Sequence, residues 1–170
     1  MTAKLRSIST NEVAPKLRAA FWREQICDVF VELDCDPLDD GFYGSIKDHS
    51  SGSLQLSQVI SAPQAVCRSK RQLARTSDDC LLISLQISGS CQVEQDGRSA
   101  RINPGDMAMY DSTRCYQLLF SECFEQLVLK LPRSTLADYL ATPERVTATR
   151  IDGKKGMGRI AKWTFCKNTS

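Results

Sequence analysis

The single histidine, His49, and the eight cysteines are the residues best able to do chemistry, and their spacing limits what they can do together. A first-row divalent metal is commonly held by about three imidazoles and a carboxylate; one histidine cannot supply that set. The cysteines, at 27, 35, 67, 80, 91, 115, 123 and 166, form no C-x-x-C pair, so no thiolate metal site is spelled out. A Cys–His nucleophile would have to use His49, and no local signature chooses its cysteine. His49 lies in an expected turn, Asp48-His49-Ser50-Ser51-Gly52, and is read as a solvated residue there. Asp106 and Asp111 are the carboxylate pair that attracts an acid–base reading. Asp106, however, sits in the turn Asn103-Pro104-Gly105-Asp106, where Asp bonds its own backbone. The expectation is no catalytic site, no metal and no cofactor.

Binding chemistry has better candidates. Arg68, Arg71 and Arg75 are the most concentrated basic group. Arg68 adjoins an extended apolar segment, and its guanidinium could clamp a carboxylate through two parallel hydrogen bonds; Arg71 and Arg75 are read as surface charges. Ser84 and Gln86 lie on the polar face of a strand, where side chains turned inward need partners and a ligand is one such partner. Phe42, Tyr110 and Tyr116 offer aromatic walls, and Trp22 packs as core.

These residues need a scaffold, and hydrophobic periodicity predicts one that is mainly β. A helix is expected over 11–27, with Pro15 in its first turn. Strands are expected at 29–33, 42–47 and 54–60, with extended chain at 65–68 and a short basic turn at 70–75. The clearest strand covers 80–88, with Leu81, Ile83, Leu85 and Ile87 on one face and Cys80, Leu82, Ser84, Gln86 and Ser88 on the other. Asp96-Gly97 marks a hairpin turn. Further strands are expected at 107–110, 116–120 and 126–131. Strands so spaced and broken by Gly, Pro and Asp point to an antiparallel sandwich or barrel. Leu136, Tyr139 and Leu140 then resume helical spacing after Pro132.

At 170 residues the chain suits one domain, with 42% hydrophobic and 25% charged residues. The net charge of +2 gives no clustered basic face for phosphate. Residues 1–10 are polar, and no run approaches the ~18 apolar residues of a membrane span. A cytoplasmic protein with no membrane partner is expected, its cysteines serving as small buried hydrophobes.

An ordered series of residues carries a resemblance. It runs Leu56-Ser57-Gln58-Val59, Ala62-Pro63-Gln64-Ala65-Val66, Arg68-Ser69, Arg71, Asp79, Ser84-Leu85-Gln86 and Gly89. It continues through Gln95-Asp96-Gly97-Arg98, Pro104-Gly105-Asp106-Met107 and Tyr110-Asp111-Ser112. Over residues 15 to 160 the chain resembles the amino-terminal, AraC-binding-like sensor domain of AraC/XylS-type transcription regulators. The resemblance implies a cupin-like antiparallel β-barrel (jelly roll) with an N-terminal helix and a C-terminal helix and linker. It also implies a small organic effector, a homodimer, and DNA contact only through a separate domain with two helix-turn-helix units. The turn Pro104-Gly105-Asp106 falls where a cupin strand leads to a ligand histidine, and Met107, Ala108, Met109 and Tyr110 do not replace one.

The expected organisation is an arm and helix at 1–27, a barrel at 28–132, a helix at 133–150 and a linker or tail at 151–170, with the DNA-binding domain absent. Residues 162–170 do not resemble the family's linker, which a truncated or frameshifted reading frame would explain. The expected function is effector binding and dimerisation, with Arg68, Ser84, Gln86, Phe42, Tyr110 and Tyr116 at the ligand and Leu136, Tyr139 and Leu140 at the dimer contact. Two alternatives stand beside it. One is a small metal-independent cupin enzyme of isomerase type; the other is a regulator fragment that is non-functional or dominant-negative.

Overall fold

The structure, a computed structural model, describes residues 4–155. Strand β1 (Lys4–Ser9) leads through two 3-10 turns, Thr10–Glu12 and Pro15–Leu17, into helix α1 (Arg18–Val29). Strands β2 (Asp34–Pro37), β3 (Gly44–Ser51), β4 (Leu54–Ser61) and β5 (Gln64–Arg68) follow, then the single turn α2 (Lys70–Leu73). The rest of the strands are β6 (Cys80–Ser88), β7 (Cys91–Gln95), β8 (Arg98–Ile102), β9 (Met107–Asp111), β10 (Tyr116–Phe120) and β11 (Phe124–Pro132). A single turn, α3 (Arg133–Leu136), and a 3-10 turn at Pro143–Arg145 close the described chain.

The strands form two antiparallel sheets, ordered β1-β3-β4-β11-β6-β9 and β2-β5-β10-β7-β8. The expected closed β-barrel is therefore corrected to a pair of open sheets with helical segments at both ends of the chain. Among the described residues no strand of one sheet pairs with a strand of the other. Closure would remove the sheet edges; here edges are covered instead. Ile151 bridges to Met107 along the β9 edge, and Ala148 N donates to Met109 O at 2.9 Å. At the β2 edge, Arg23 of α1 donates to Cys35 O at 3.0 Å.

One face of each sheet turns inward, as period-two alternation requires. Ile46, Val59, Leu82, Tyr110 and Val128 from the larger sheet meet Cys35, Val66, Val93, Tyr116, Leu118 and Phe120 from the smaller one in a common core. Helix α1 adds Trp22, Ile26 and Val29, which repeat at helical spacing on its buried face. Trp22 is the core residue expected of it. Its indole lies against Gly44, where an added Cβ would stand only 2.6 Å from the ring.

Element boundaries differ from the sequence expectation in four places. The helix begins later and ends later than 11–27, so Val29 completes its buried stripe. Residues 30–33, expected as a strand with Val29, belong to no sheet. Strand β3 continues to Ser51, placing His49 in an exposed strand position opposite Leu5 and Leu56, not in a turn. Where a helix is expected over 133–150 only α3 and the 3-10 turn form; Pro143 lacks the N–H that a continuing helix would need. The hairpin at Asp96-Gly97 is as read, with both residues at positive φ, 54° and 73°. The tail expected over 151–170 lies outside the described residues from 156 onward.

Candidate functional site

A closed space lies between the sheets. It is lined by Ile26 of α1, Phe30 and Leu33 of the segment after it, and inward side chains from both sheets, among them Tyr110, Tyr116, Phe120 and Phe124. It encloses about 40 Å³ of room for water centres. A water needs roughly 10–15 Å³ by that measure, so the space admits a few waters and no larger molecule until a wall moves.

The walls are aromatic and uncharged. The Tyr110 and Tyr116 rings meet at a centroid distance of 4.8 Å, and Phe120 stacks on Phe124 at 3.7 Å. Burial pushes both tyrosine hydroxyls well above the ordinary phenol range, so both are neutral. Tyr116 is 2% exposed, and its hydroxyl meets no hydrogen-bond partner among the described residues. The glutamines nearby are engaged. Gln64 Oε1 accepts from Trp22 Nε1 at 2.9 Å, and Gln126 Nε2 donates to Gln86 Oε1 at 2.8 Å.

Of the residues singled out from sequence, Tyr110 and Tyr116 line this space together. Ser84 and Gln86 are buried on the inward face of β6, behind the lining. The Ser84 hydroxyl donates to Ala108 O at 3.4 Å, and Gln86 Nε2 donates to Ser88 O at 2.8 Å. Phe42 packs on Trp22 at 5.8 Å between ring centroids and does not reach the lining.

Arg68 is almost fully buried, but at the end of β5 it serves the protein itself. Its Nε donates to Ser112 O and its Nη1 to Glu32 O, both at 2.7 Å, while Nη2 reaches Thr76 Oγ1 at 3.2 Å. The guanidinium thus pins three loops. Sequence reasoning missed Phe30, Leu33, Phe120, Phe124 and Gln126 in the lining. Period two flagged the inward positions of β10 and β11, but nothing local told lining from plain core.

Segment 30–33 is the least sheet-bound wall. It is tied by side chains: Arg68 to Glu32 O, Lys130 Nζ to Phe30 O, and Cys27 Sγ to Leu33 O at 3.2 Å. Strand β9 is the opposite case. Tyr110 looks inward from it, while its outer edge carries the chain at 148–151.

Nothing else converges as a reactive site. Among the described residues no group of three or more His, Cys, Asp or Glu side chains is placed to hold a metal. The described cysteines are free thiols, and burial pushes Cys91 up to about 12 and Cys35 higher still. Asp111 serves structure: its side chain is 1% exposed, and it is gripped by Arg133 and Arg114. No helix of the described residues is long and apolar enough to cross a membrane.

Residues 22–162 match the AraC-binding-like domain family, and the chain belongs to it. It is therefore a sensor domain of the AraC/XylS class of transcription regulators. It is 42% identical over 130 residues to an uncharacterized protein in the nit 5′ region of Bacillus sp. (strain OxB-1), covering 76% of this chain and 50% of that one. It is 31% identical over 118 residues to the transcriptional activator NphR of Rhodococcus sp, covering 67% and 35%. The chain thus spans half or less of these relatives. The crystal structure of the AraC-like transcriptional activator CuxR superposes with a TM-score of 0.78 at 20% identity, covering 89% of this chain and 55% of that one. That likeness is one of fold.

Proposed function

We infer that this domain senses a small organic effector in the space between its two sheets, in the cytoplasm, and passes the bound state to DNA-binding domains of the kind such regulators carry. One observation supports it most: an enclosed, aromatic-walled space holds an unpartnered hydroxyl and shares β9 with the segment leading out of the domain. An effector alters an equilibrium only through different affinity for two arrangements. Here the arrangements are the nearly closed space described above and an expanded one, reached by displacing segment 30–33. Expansion against Tyr110 shifts β9, and with it the run that pairs to Met107 and Met109.

The domain acts as a homodimer through the surface around Leu136, Tyr139 and Leu140. Tyr139 is 85% exposed there, an aromatic side chain with no intramolecular use. DNA is reached through an attached domain, a reading that the near-neutral net charge of +2 supports.

The test is thermal unfolding against a panel of aromatic acids, amines, amides, sugars and fatty acids. A ligand at a hundred times its dissociation constant stabilises by about 2.7 kcal/mol, a midpoint rise of roughly 5–10 °C at this size. A hit insensitive to chelator supports the reading. A midpoint that falls on chelation alone points to a metal protein instead.

A further inference from the structure

We propose that the space between the sheets selects an uncharged, ring-sized molecule carrying one hydrogen-bond acceptor, held by the Tyr116 hydroxyl. The proposal rests on reading that space as the effector site and adds the chemical class. Three observations carry it.

No Asp, Glu, Lys, Arg or His side chain lines the space. An anion entering it would shed its hydration with no cation to meet it, which is prohibitive in a dry interior. Arg68, paired across strands with Tyr116, is the cation placed nearest along β5, and its donors are committed to Ser112 O, Glu32 O and Thr76. Freeing them would orphan two carbonyls for each carboxylate gained.

The walls favour a flat ring. Aromatic rings gain most from other rings at offset or tilted geometry, and the lining offers a tilted pair, Tyr110–Tyr116, and a stacked pair, Phe120–Phe124. The Tyr116 hydroxyl is the one buried side-chain polar atom of the lining without a partner among the described residues. Buried polar groups are nearly always satisfied, so an exception asks for one. A ligand acceptor supplies it.

Benzamide, benzoate and toluene separate the terms, since they share a ring and differ in charge and acceptor. Binding is read by thermal shift and calorimetry on the full chain and on Tyr116→Phe. Benzamide is expected to bind, toluene more weakly, and benzoate not at all. Tyr116→Phe should keep the ligand-free fold, because only the hydroxyl is removed and the ring that packs on Tyr110 stays. It should also weaken benzamide about tenfold and leave toluene unchanged. Benzoate binding as well as benzamide, or benzamide indifferent to Tyr116→Phe, overturns the class while the space remains an effector site. Failure of benzamide and toluene to bind at millimolar concentration overturns this proposal, while the effector reading is decided separately by the wider panel of acids, amines, sugars and fatty acids.

Discussion

Arg150 Nε meets Asp106 Oδ2 at 2.7 Å, closing an ion pair between the turn that starts β9 and the run at 148–151 that pairs along that strand. Asp106 is buried, and although burial alone would raise its pKa, the bonds from Arg150 and the backbone of Asn103 hold it below the ordinary value. The pair sits beside the Met107–Ile151 bridge, so the start of β9 and the run at 148–151 are fastened twice. Arg150→Ala is expected to lower global stability only slightly, since its side chain is half exposed and the pair is screened by solvent. It should also speed amide exchange at Ile151 and Ala148 by more than at Leu127. Equal exchange at all three would show that the pair does not fasten this run to β9.

Asp111 supports a second tether. Burial opposes its ionisation, but bonds from Arg133, Thr113 and Arg114 outweigh it and hold the carboxyl at about 2. The folded value is depressed below the unfolded ~3.9, so this stabilisation is complete above pH ~4 and is lost as pH falls toward 2. It amounts to about 2 kcal/mol. Asp111→Asn should lower stability at pH 7 by about that much and flatten the acid limb between pH 4 and 2. An unchanged acid limb would place the acid sensitivity elsewhere.

Arg68 is expected to govern stability more than recognition. Arg68→Lys keeps the charge but cannot reach Ser112 O, Glu32 O and Thr76 together. A loss of about 3 kcal/mol or more is expected, because buried carbonyls are left unpaired. Urea unfolding measures it. A loss under 1 kcal/mol would mean that the loops are held by other contacts.

Gly44→Ala should cost about 2 kcal/mol. The new methyl would stand 2.6 Å from Trp22, whose indole is fixed by its bond to Gln64 and by Phe42. A neutral substitution would require α1 to shift freely on the sheets, and urea unfolding distinguishes the two.

Much of this architecture was legible in particular residues. The alternation from Cys80 to Ser88 separates the two faces of β6, but the mixed face with Leu82, Ser84 and Gln86 turns to the main core, while Ile83 and Leu85 pack in a second cluster on the other side of the sheet. Asp96-Gly97 names its hairpin because few other residues accept positive φ. Strand β1 was missed because Lys4–Ser9 is an edge strand with mostly exposed side chains, so no apolar period marks it. The closed barrel was misjudged because alternation fixes which side chains face inward and says nothing about whether sheet edges meet. Tyr110 and Tyr116 lie in one lining although they stand on strands of different sheets. Arg68 was flagged by type and neighbourhood, but the loops that occupy its donors are distant in sequence.

Methyl-resolved NMR of the full chain, titrated with benzamide, tests the central claim most directly. The account predicts shifts at Val59, Val66, Leu82, Leu118 and Val128, which line the space, with Leu5 and Leu54 on the outer sheet face unmoved. Shifts confined to Leu5, Leu54 and their outer-face neighbours, or none at all, would contradict it.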